Sequence, residues 1–423
     1  MNPLLQRLHP YPFERWRELT AGIVPNPAYK PISLGIGEPK HATPVLIEEA
    51  LMKALPGLSS YPATAGEPVL REAIAGWVQR RYGVALNAAT QVLPVTGSRE
   101  ALFAFAQTVI DPTRAGATVV CPNPFYQIYE GAALLAGAQT CFVPSLPQRN
   151  FAADWAAVDE ATWARTQLLY VCSPGNPTGA VMPLEEWRLL FELSDRHGFV
   201  IASDECYSEI YFGNEAPLGS LQAAQALGRH DFRRLVAFTS LSKRSNVPGL
   251  RSGFVAGDAS LLKDFLLYRT YHGSAMSPMV QRASAAAWAD EAHVVANREL
   301  YRQKFAQVMP VLSPLDKPVL DVQLPDAAFY LWAAIPGVDD EVAWAQGLLA
   351  QYNVNVLPGR LLAREVAQHH PPNPGAGRIR MALVAPVDEC LEAAHRIAAY
   401  AAHTAHVASA TSDASAVQDR QPA

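Results

Sequence analysis

Three apolar runs constrain this chain more than any other feature: QLLYVCSP (167–174), GFVIASDECY (198–207) and RLVAFTSLSK (234–243). Each is short, rich in β-branched and aromatic residues, and apolar rather than alternating. That is the pattern of a strand buried on both faces of a sheet. Strand and helix patterns alternate from about residue 41 to 280, which predicts a large α/β domain with a mostly parallel central sheet flanked by helices. Each run also ends in polar residues: the turn GNPTG (175–179) with Asn176, then Asp204, then Lys243. Open α/β sheets bind ligands outside the carboxyl ends of their strands, so these three side chains are expected to converge on one crevice.

The residue types at that crevice suggest a chemistry. The stretch SLSKRSNVPGLR (240–251) sets Lys243 between Ser240, Ser242 and Arg251. Lysine forms a Schiff base with an aldehyde cofactor, and hydroxyls with a guanidinium suit a phosphate on it. A carboxylate beside a pyridine nitrogen keeps that nitrogen protonated, a role open to Asp204. Asn176 and Tyr207 offer donors to a phenolic oxygen. The set fits pyridoxal 5'-phosphate. Blander readings stand beside it: Asp204 as a helix cap, GNPTG as a plain β-turn, Tyr61 and Tyr126 as core or interface aromatics. Arg378 and Arg380 fall on one face of a strand, so either could meet a carboxylate. Gly35 and Gly37, in GIGEP, lack the third glycine of a dinucleotide fingerprint and open onto proline.

Eight segments taken together resemble the class I/II aminotransferases, which are fold-type I pyridoxal-phosphate enzymes. They are LGIGEP (34–39), YPATAGEPVLREAIA (61–75), TGSREAL (96–102), NPFYQIY (123–129), SPGNPTG (173–179), SDECY (203–207), SLSKRSNVPGLRSG (240–253) and GRIRMAL (377–383). They run in family order through all but the C-terminal tail. The resemblance implies that Lys243 binds the cofactor and moves the substrate proton. Asp204 would pair with the ring nitrogen, Asn176 and Tyr207 would contact the ring oxygen, and Tyr126 would stack on the ring. Ser98 and Arg99 at a helix start, with Ser240, Ser242 and Arg251, would hold the phosphate. Tyr61 would reach the phosphate of a neighbouring subunit, making a homodimer. Arg380 would take the substrate α-carboxylate, with Gly37 letting backbone approach it.

At 423 residues the chain is long enough for a large and a smaller domain. The organisation expected is an extended N-terminal arm joining the small domain (1–40), a large cofactor domain (41–280), and a long connecting helix (281–309). A smaller α+β domain (310–402) follows, with strands at VLDVQLP, AFYLWAAIP and RIRMALV, and then a disordered tail (403–423). A net charge of -5 with no basic run argues against a nucleic-acid partner. Five scattered cysteines without CxxC spacing read as reduced thiols. His369 and His370 lack a third ligand, so no metal is expected. With no leader pattern and no membrane-length apolar run, a cytoplasmic location is expected.

Two function classes are distinguishable. An aminotransferase is favoured, with an aspartate- or alanine-type or other amino-acid specificity as its alternative, although a carbon–sulfur lyase or decarboxylase of the same fold would use the same cofactor residues. A ligand-sensing regulator would need an attached DNA-binding segment, and residues 1–40 carry no helix-turn-helix pattern. Residues 1–44 and LPGRLLAREV (357–366) resemble a branch of the family that uses glutamate as donor and a long N-acylated keto-dicarboxylate as acceptor. An acidic acceptor needs cations beyond Arg380, and Arg360 is the expected ligand of its distal carboxylate. A surface arginine is the plainer reading of that residue.

Overall fold

The computed structural model describes residues 1–316 and 318–418, with side chains as far as Thr404. Seven strands form the large sheet: β1 (Val92–Val95), β2 (Thr118–Asn123), β3 (Gln139–Pro144), β4 (Thr166–Cys172), β5 (Val200–Asp204), β6 (Leu235–Ser240) and β7 (Gly253–Gly257). Their spatial order is β1-β7-β6-β5-β4-β2-β3. All neighbours are parallel except β7, which runs antiparallel to both β1 and β6. The three apolar runs of the sequence are adjacent central strands. They are apolar throughout because both faces are covered. In β4, Leu169 and Val171 pack into one core with Trp77 and Trp288, while Leu168 and Tyr170 pack into the opposite core with Phe105 and Phe238. That division is the two-residue period of a strand written in side chains.

The smaller sheet holds β8 (Tyr330–Ala334), β9 (Leu357–Pro358) and β10 (Arg378–Ala382), antiparallel in the order β9-β10-β8. The sequence pattern predicts a strand at VLDVQLP, yet only Asp321 pairs, in a single bridge to Ala334. Nor is the N-terminal segment simply extended. Pro12–Thr20 is a helix, entered through proline at its first position, and it buries Trp16 in the small-domain core. Trp16 Nε1 donates to Asn355 Oδ1 at 2.7 Å, and Ile32–Ser33 pairs in parallel with Val354–Asn355.

The connecting helix expected over 281–309 is two helices, Pro278–Ala289 and Ala292–Leu312. Asp290 between them is extended, and its carboxylate accepts the His293 N–H at 3.0 Å and lies 2.6 Å from His293 Nδ1. An aspartate that caps the following helix ends the preceding one. The second helix runs past Pro310 to Leu312. The tail expected to be disordered from 403 instead continues the helix Val387–Gln418. Its sequence is alanine-rich and free of proline and glycine up to that point, which favours a helix. Residues 419–423 lie outside the described residues.

Candidate active site

The carboxyl ends of the central strands deliver the site. Cys172 closes β4 in register with Asp204, and Asp204 closes β5 in register with Phe238 of β6. After β6 the chain turns at once into the short helix Leu241–Arg244, which carries Lys243. A cleft of about 850 Å³ opens there, lined by Asn176, Asp204, Tyr207, Lys243, Tyr126 and Arg380, among others. Ser98, Arg99, Ser242, Arg251 and Gly37 line it too. The convergence expected from the strand ends is therefore what the fold produces.

Asp204 is 4 % exposed, and Tyr129 donates to its Oδ2 at 2.9 Å. Tyr129 in turn stacks on Tyr170 with ring centroids 4.6 Å apart, which fixes the donor from the core side. Lys243 Nζ lies 5.7 Å from the centre of the Tyr207 ring. The Tyr207 hydroxyl is 3.0 Å from that of Tyr330, and burial, with Tyr330 adding to it, raises the Tyr207 phenol well above its ordinary value. Arg99 Nε donates to Tyr126 Oη at 2.7 Å. Burial pushes that phenol up as well, with Arg99 opposing. Both phenols are thus held as neutral donors. The Cys172 and Cys206 thiols are raised by burial foremost and by Asp204 next, so they stay protonated beside the carboxylate.

Arg380 is 2 % exposed and shows why Asn176 matters. Its Nη1 donates to Asn176 Oδ1 at 3.1 Å and its Nη2 to the Gly35 carbonyl at 2.8 Å. Its Nε has no partner, and its guanidinium carbon lies 4.5 Å from the centre of the Tyr330 ring. Arg378, two residues earlier on β10, instead sits 5.2 Å from the Phe151 ring and outside the cleft lining. Of the two strand arginines, the cleft takes Arg380.

One end of the cleft is built for an anion. The helix Ser98–Val109 begins there, and the first N–H groups of a helix have no partner within it. Gly97 precedes it with φ +89°, and a Cβ there would run into the Arg251 guanidinium. Arg251 is itself held at φ +51°, with Nη1 on the Pro248 carbonyl at 2.8 Å. Ser98 and Ser242 line the same end, and Cys206 Sγ donates to Ser98 Oγ at 3.0 Å.

Three expectations need correction or a different reason. Ser240 is buried outside the cleft lining, its hydroxyl 2.9 Å from Ser242 Oγ and taking the Ser242 N–H at 3.1 Å. It caps the helix that carries Lys243 instead of forming the anion cup. Arg360 is also outside the cleft, forked onto the buried Glu341 with Nε–Oε1 2.6 Å and Nη2–Oε2 2.8 Å. That pairing engages Nε and Nη2 on the small domain and directs the fork away from the cleft. Gly37 does line the cleft, yet an added Cβ would lie 2.7 Å from Tyr330 Cζ, so its smallness seats Tyr330. Tyr61, expected to serve a neighbouring subunit, is fully exposed and away from this chain's own cleft.

Sequence reasoning missed Tyr330, Tyr129, Tyr11 and Phe13. Tyr129 falls three residues after Tyr126, a helical spacing that marks a shared face. Tyr11 and Phe13 reach the cleft from the N-terminal helix, which no local pattern announces.

Comparison with known proteins gives the lineage. The family model described as aminotransferase class I and II matches residues 29–397. The chain belongs to that family. It is 33 % identical over 370 residues to the LL-diaminopimelate aminotransferase of Nitratidesulfovibrio vulgaris strain DP4, a match covering 87 % of this chain and 90 % of that one. An aminotransferase structure from Neisseria meningitidis superposes with a TM-score of 0.90 at 54 % identity, covering 94 % and 99 % of the two chains. A probable N-succinyldiaminopimelate aminotransferase from Thermus thermophilus gives 0.79 at 27 % identity, covering 92 % and 99 %.

This aminotransferase is thus a pyridoxal-phosphate enzyme that moves an amino group between an amino acid and a 2-oxo acid, on a fold-type I scaffold. The cofactor supplies the electron sink for that chemistry. The cleft fits such a group. It offers a lysine amine, a buried carboxylate, a helix N-terminus kept open by Gly97, and an arginine with an orphaned Nε. No helix is long and apolar enough to cross a membrane among the described residues.

Proposed function

We propose that the enzyme transfers the amino group of glutamate to N-succinyl-2-amino-6-oxopimelate, as a succinyldiaminopimelate transaminase. The observation that carries this reading is the cleft's excess of cations. Arg380, Arg251, Lys243 and Arg99 line it, against Glu38 at the exposed rim, Glu100, which is tied to the buried Arg269, and Asp204, which lies deep in the floor. Glutamate and the succinylated acceptor both carry carboxylates remote from the reacting carbon. With Arg360 engaged elsewhere, Arg99 is the cation available for them. Its guanidinium is held over the cleft by Tyr126 and lies 5.9 Å from the Tyr11 ring. Relatives named for LL-diaminopimelate and for N-succinyldiaminopimelate support the diaminopimelate skeleton.

In this reading Lys243 would hold the cofactor, and its amine would serve as the base that moves the proton of the substrate α-carbon. Asp204, oriented by Tyr129, pairs with the ring nitrogen. Asn176 and Tyr207 would offer donors to the ring oxygen, and Tyr126 would stack on the ring. Ser98, the N–H of Arg99, Ser242 and Arg251 hold the phosphate, with Ser240 behind them. Arg380 takes the α-carboxylate through a guanidinium already aligned by Asn176 and Gly35. A homodimer in which Tyr61 enters the neighbouring site is supported by its full exposure and by Val45, Met52, Leu58 and Tyr271, all exposed apolar side chains. A cytoplasmic setting suits its five free cysteines.

The test is steady-state kinetics with 2-oxoglutarate as acceptor and either N-succinyl-LL-2,6-diaminopimelate or LL-2,6-diaminopimelate as donor. The kcat/KM should be about a hundredfold higher for the succinylated compound, about 2.7 kcal/mol of transition-state discrimination. The reverse order would assign the enzyme to the unsubstituted substrate.

A further inference from the structure

A second cavity of about 260 Å³ shares Cys172 and Asn176 with the main cleft. Phe125, Phe151, Trp155, Val171 and Met182 form its apolar walls. Set among them is Glu186, on the helix Leu184–His197, 9 % exposed and with no hydrogen-bond partner for Oε2. An unpaired carboxylate oxygen in an apolar wall is costly, and groups of that kind usually have a partner to meet. Arg149 is the only other charged residue of the lining among the described residues, and its Nη1 is taken by Asp154 at 2.7 Å. Burial raises the Glu186 carboxyl, with the Arg149 charge opposing, and no donor reaches its Oε2.

The walls are fixed before any ligand arrives. Asn150 and Phe151 hold left-handed φ values of 48° and 58°, a conformation that non-glycine residues keep only when the surroundings enforce it. Here Asp326 enforces it, its Oδ2 accepting both Asn150 Nδ2 and the Val181 N–H at 3.1 Å. Next to it the Ala327 N–H donates to the Gly179 carbonyl at 3.0 Å, which pins the GNPTG turn to the same strut. A preformed pocket with apolar walls and a few polar groups, Glu186 and the unpartnered Trp155 Nε1 among them, has the makings of a small-molecule site.

We propose that this cavity binds a compact apolar cation, an amidinium, guanidinium or ammonium on an aryl or short alkyl body, through Glu186. The proposal has a second part, which rests on reading Arg380 as the α-carboxylate ligand: occupancy couples to amino-acid binding through Asn176. That side chain lines both cavities and accepts from Arg380 Nη1. A ligand pressing on Asn176 shifts the guanidinium that the substrate must meet. Coupling of this kind is reciprocal, so glutamate must change the affinity for the cation by the same factor.

Benzamidine is a suitable probe, because its amidinium forks onto a carboxylate and its delocalised nitrogens attack an aldehyde poorly. Titration calorimetry on the holoenzyme should show one benzamidine per chain. Glu186→Gln should weaken it about tenfold or more while kcat with glutamate stays unchanged. Ala152→Phe, filling the cavity from its half-buried rim with Glu186 intact, should abolish the heat even if the glutamine variant folds poorly. Equal affinity in wild type and Glu186→Gln would overturn the site, as would no detectable heat at millimolar benzamidine. Raising glutamate separates the parts. A change in benzamidine affinity that reaches a plateau supports two coupled sites. A change that grows without limit places the probe in the main cleft and overturns the site. No change at all removes the coupling.

Discussion

Replacing Arg360 with alanine separates a structural arginine from a substrate ligand. Glu341, its partner, is 0 % exposed, and it accepts Arg360 Nε at 2.6 Å and Nη2 at 2.8 Å. Removing one member of a fully buried pair costs about 3–5 kcal/mol, because the other charge stays behind. Two features reduce that figure here. The Arg360 and Gly377 N–H groups still donate to Glu341, at 3.2 and 2.9 Å, and the Arg360 side chain is 40 % exposed, so water can enter where it stood. The expected loss is about 2 kcal/mol, seen as a Tm lowered by several degrees. KM values for glutamate and for the succinylated acceptor should both stay within about twofold. Pairing the variant with Glu341→Gln should recover part of the stability, since no charge is then stranded. An unchanged Tm with a raised KM for the acceptor alone would refute this reasoning and restore Arg360 to the substrate.

Two further perturbations have signs fixed by the structure. Gly37→Ala drives a methyl to within 2.7 Å of Tyr330 Cζ, on a ring whose hydroxyl meets Tyr207 and whose face meets Arg380; kcat/KM should fall about tenfold with the fold retained, and wild-type kinetics would contradict the packing. Lys304, 3 % exposed between His41 Nε2 at 2.6 Å and the Val384 carbonyl at 3.2 Å, is lowered by burial from 10.5 to about 8. The unfolded chain therefore binds more protons between pH 8 and 10.5. Over that window the wild type should gain about 3 kcal/mol relative to Lys304→Met, and denaturant titrations giving a flat difference would show the amine is not perturbed.

Much of the site was legible because its chemistry sits at strand ends. The apolar runs ending in Asn176, Asp204 and Lys243 could pack only as adjacent buried strands, and that packing sets the three side chains in one cleft. What escaped depends on partners distant in the chain. Arg360 and Glu341 are 19 residues apart, and nothing local marks either as a pair. Ser240 and Ser242 share one hydroxyl-rich stretch, yet the helix that starts between them turns one inward and the other toward the cleft. The break between the two long helices rests on the capping carboxylate of Asp290, which outweighs the helix-forming residues on either side. Tyr11 and Phe13 line the cleft only because Trp16 anchors their helix in the small-domain core, through an Asn355 bond spanning 339 residues.

The most direct test of the central claim is an absorption titration of the purified holoenzyme with glutamate alone. Glutamate should cause loss of the visible band of the lysine-bound cofactor and growth of a shorter-wavelength band, and the succinylated oxo acid should restore the first. In Lys243→Ala neither conversion should occur at a comparable rate. A visible band indifferent to glutamate, or an equally fast conversion without Lys243, would contradict it.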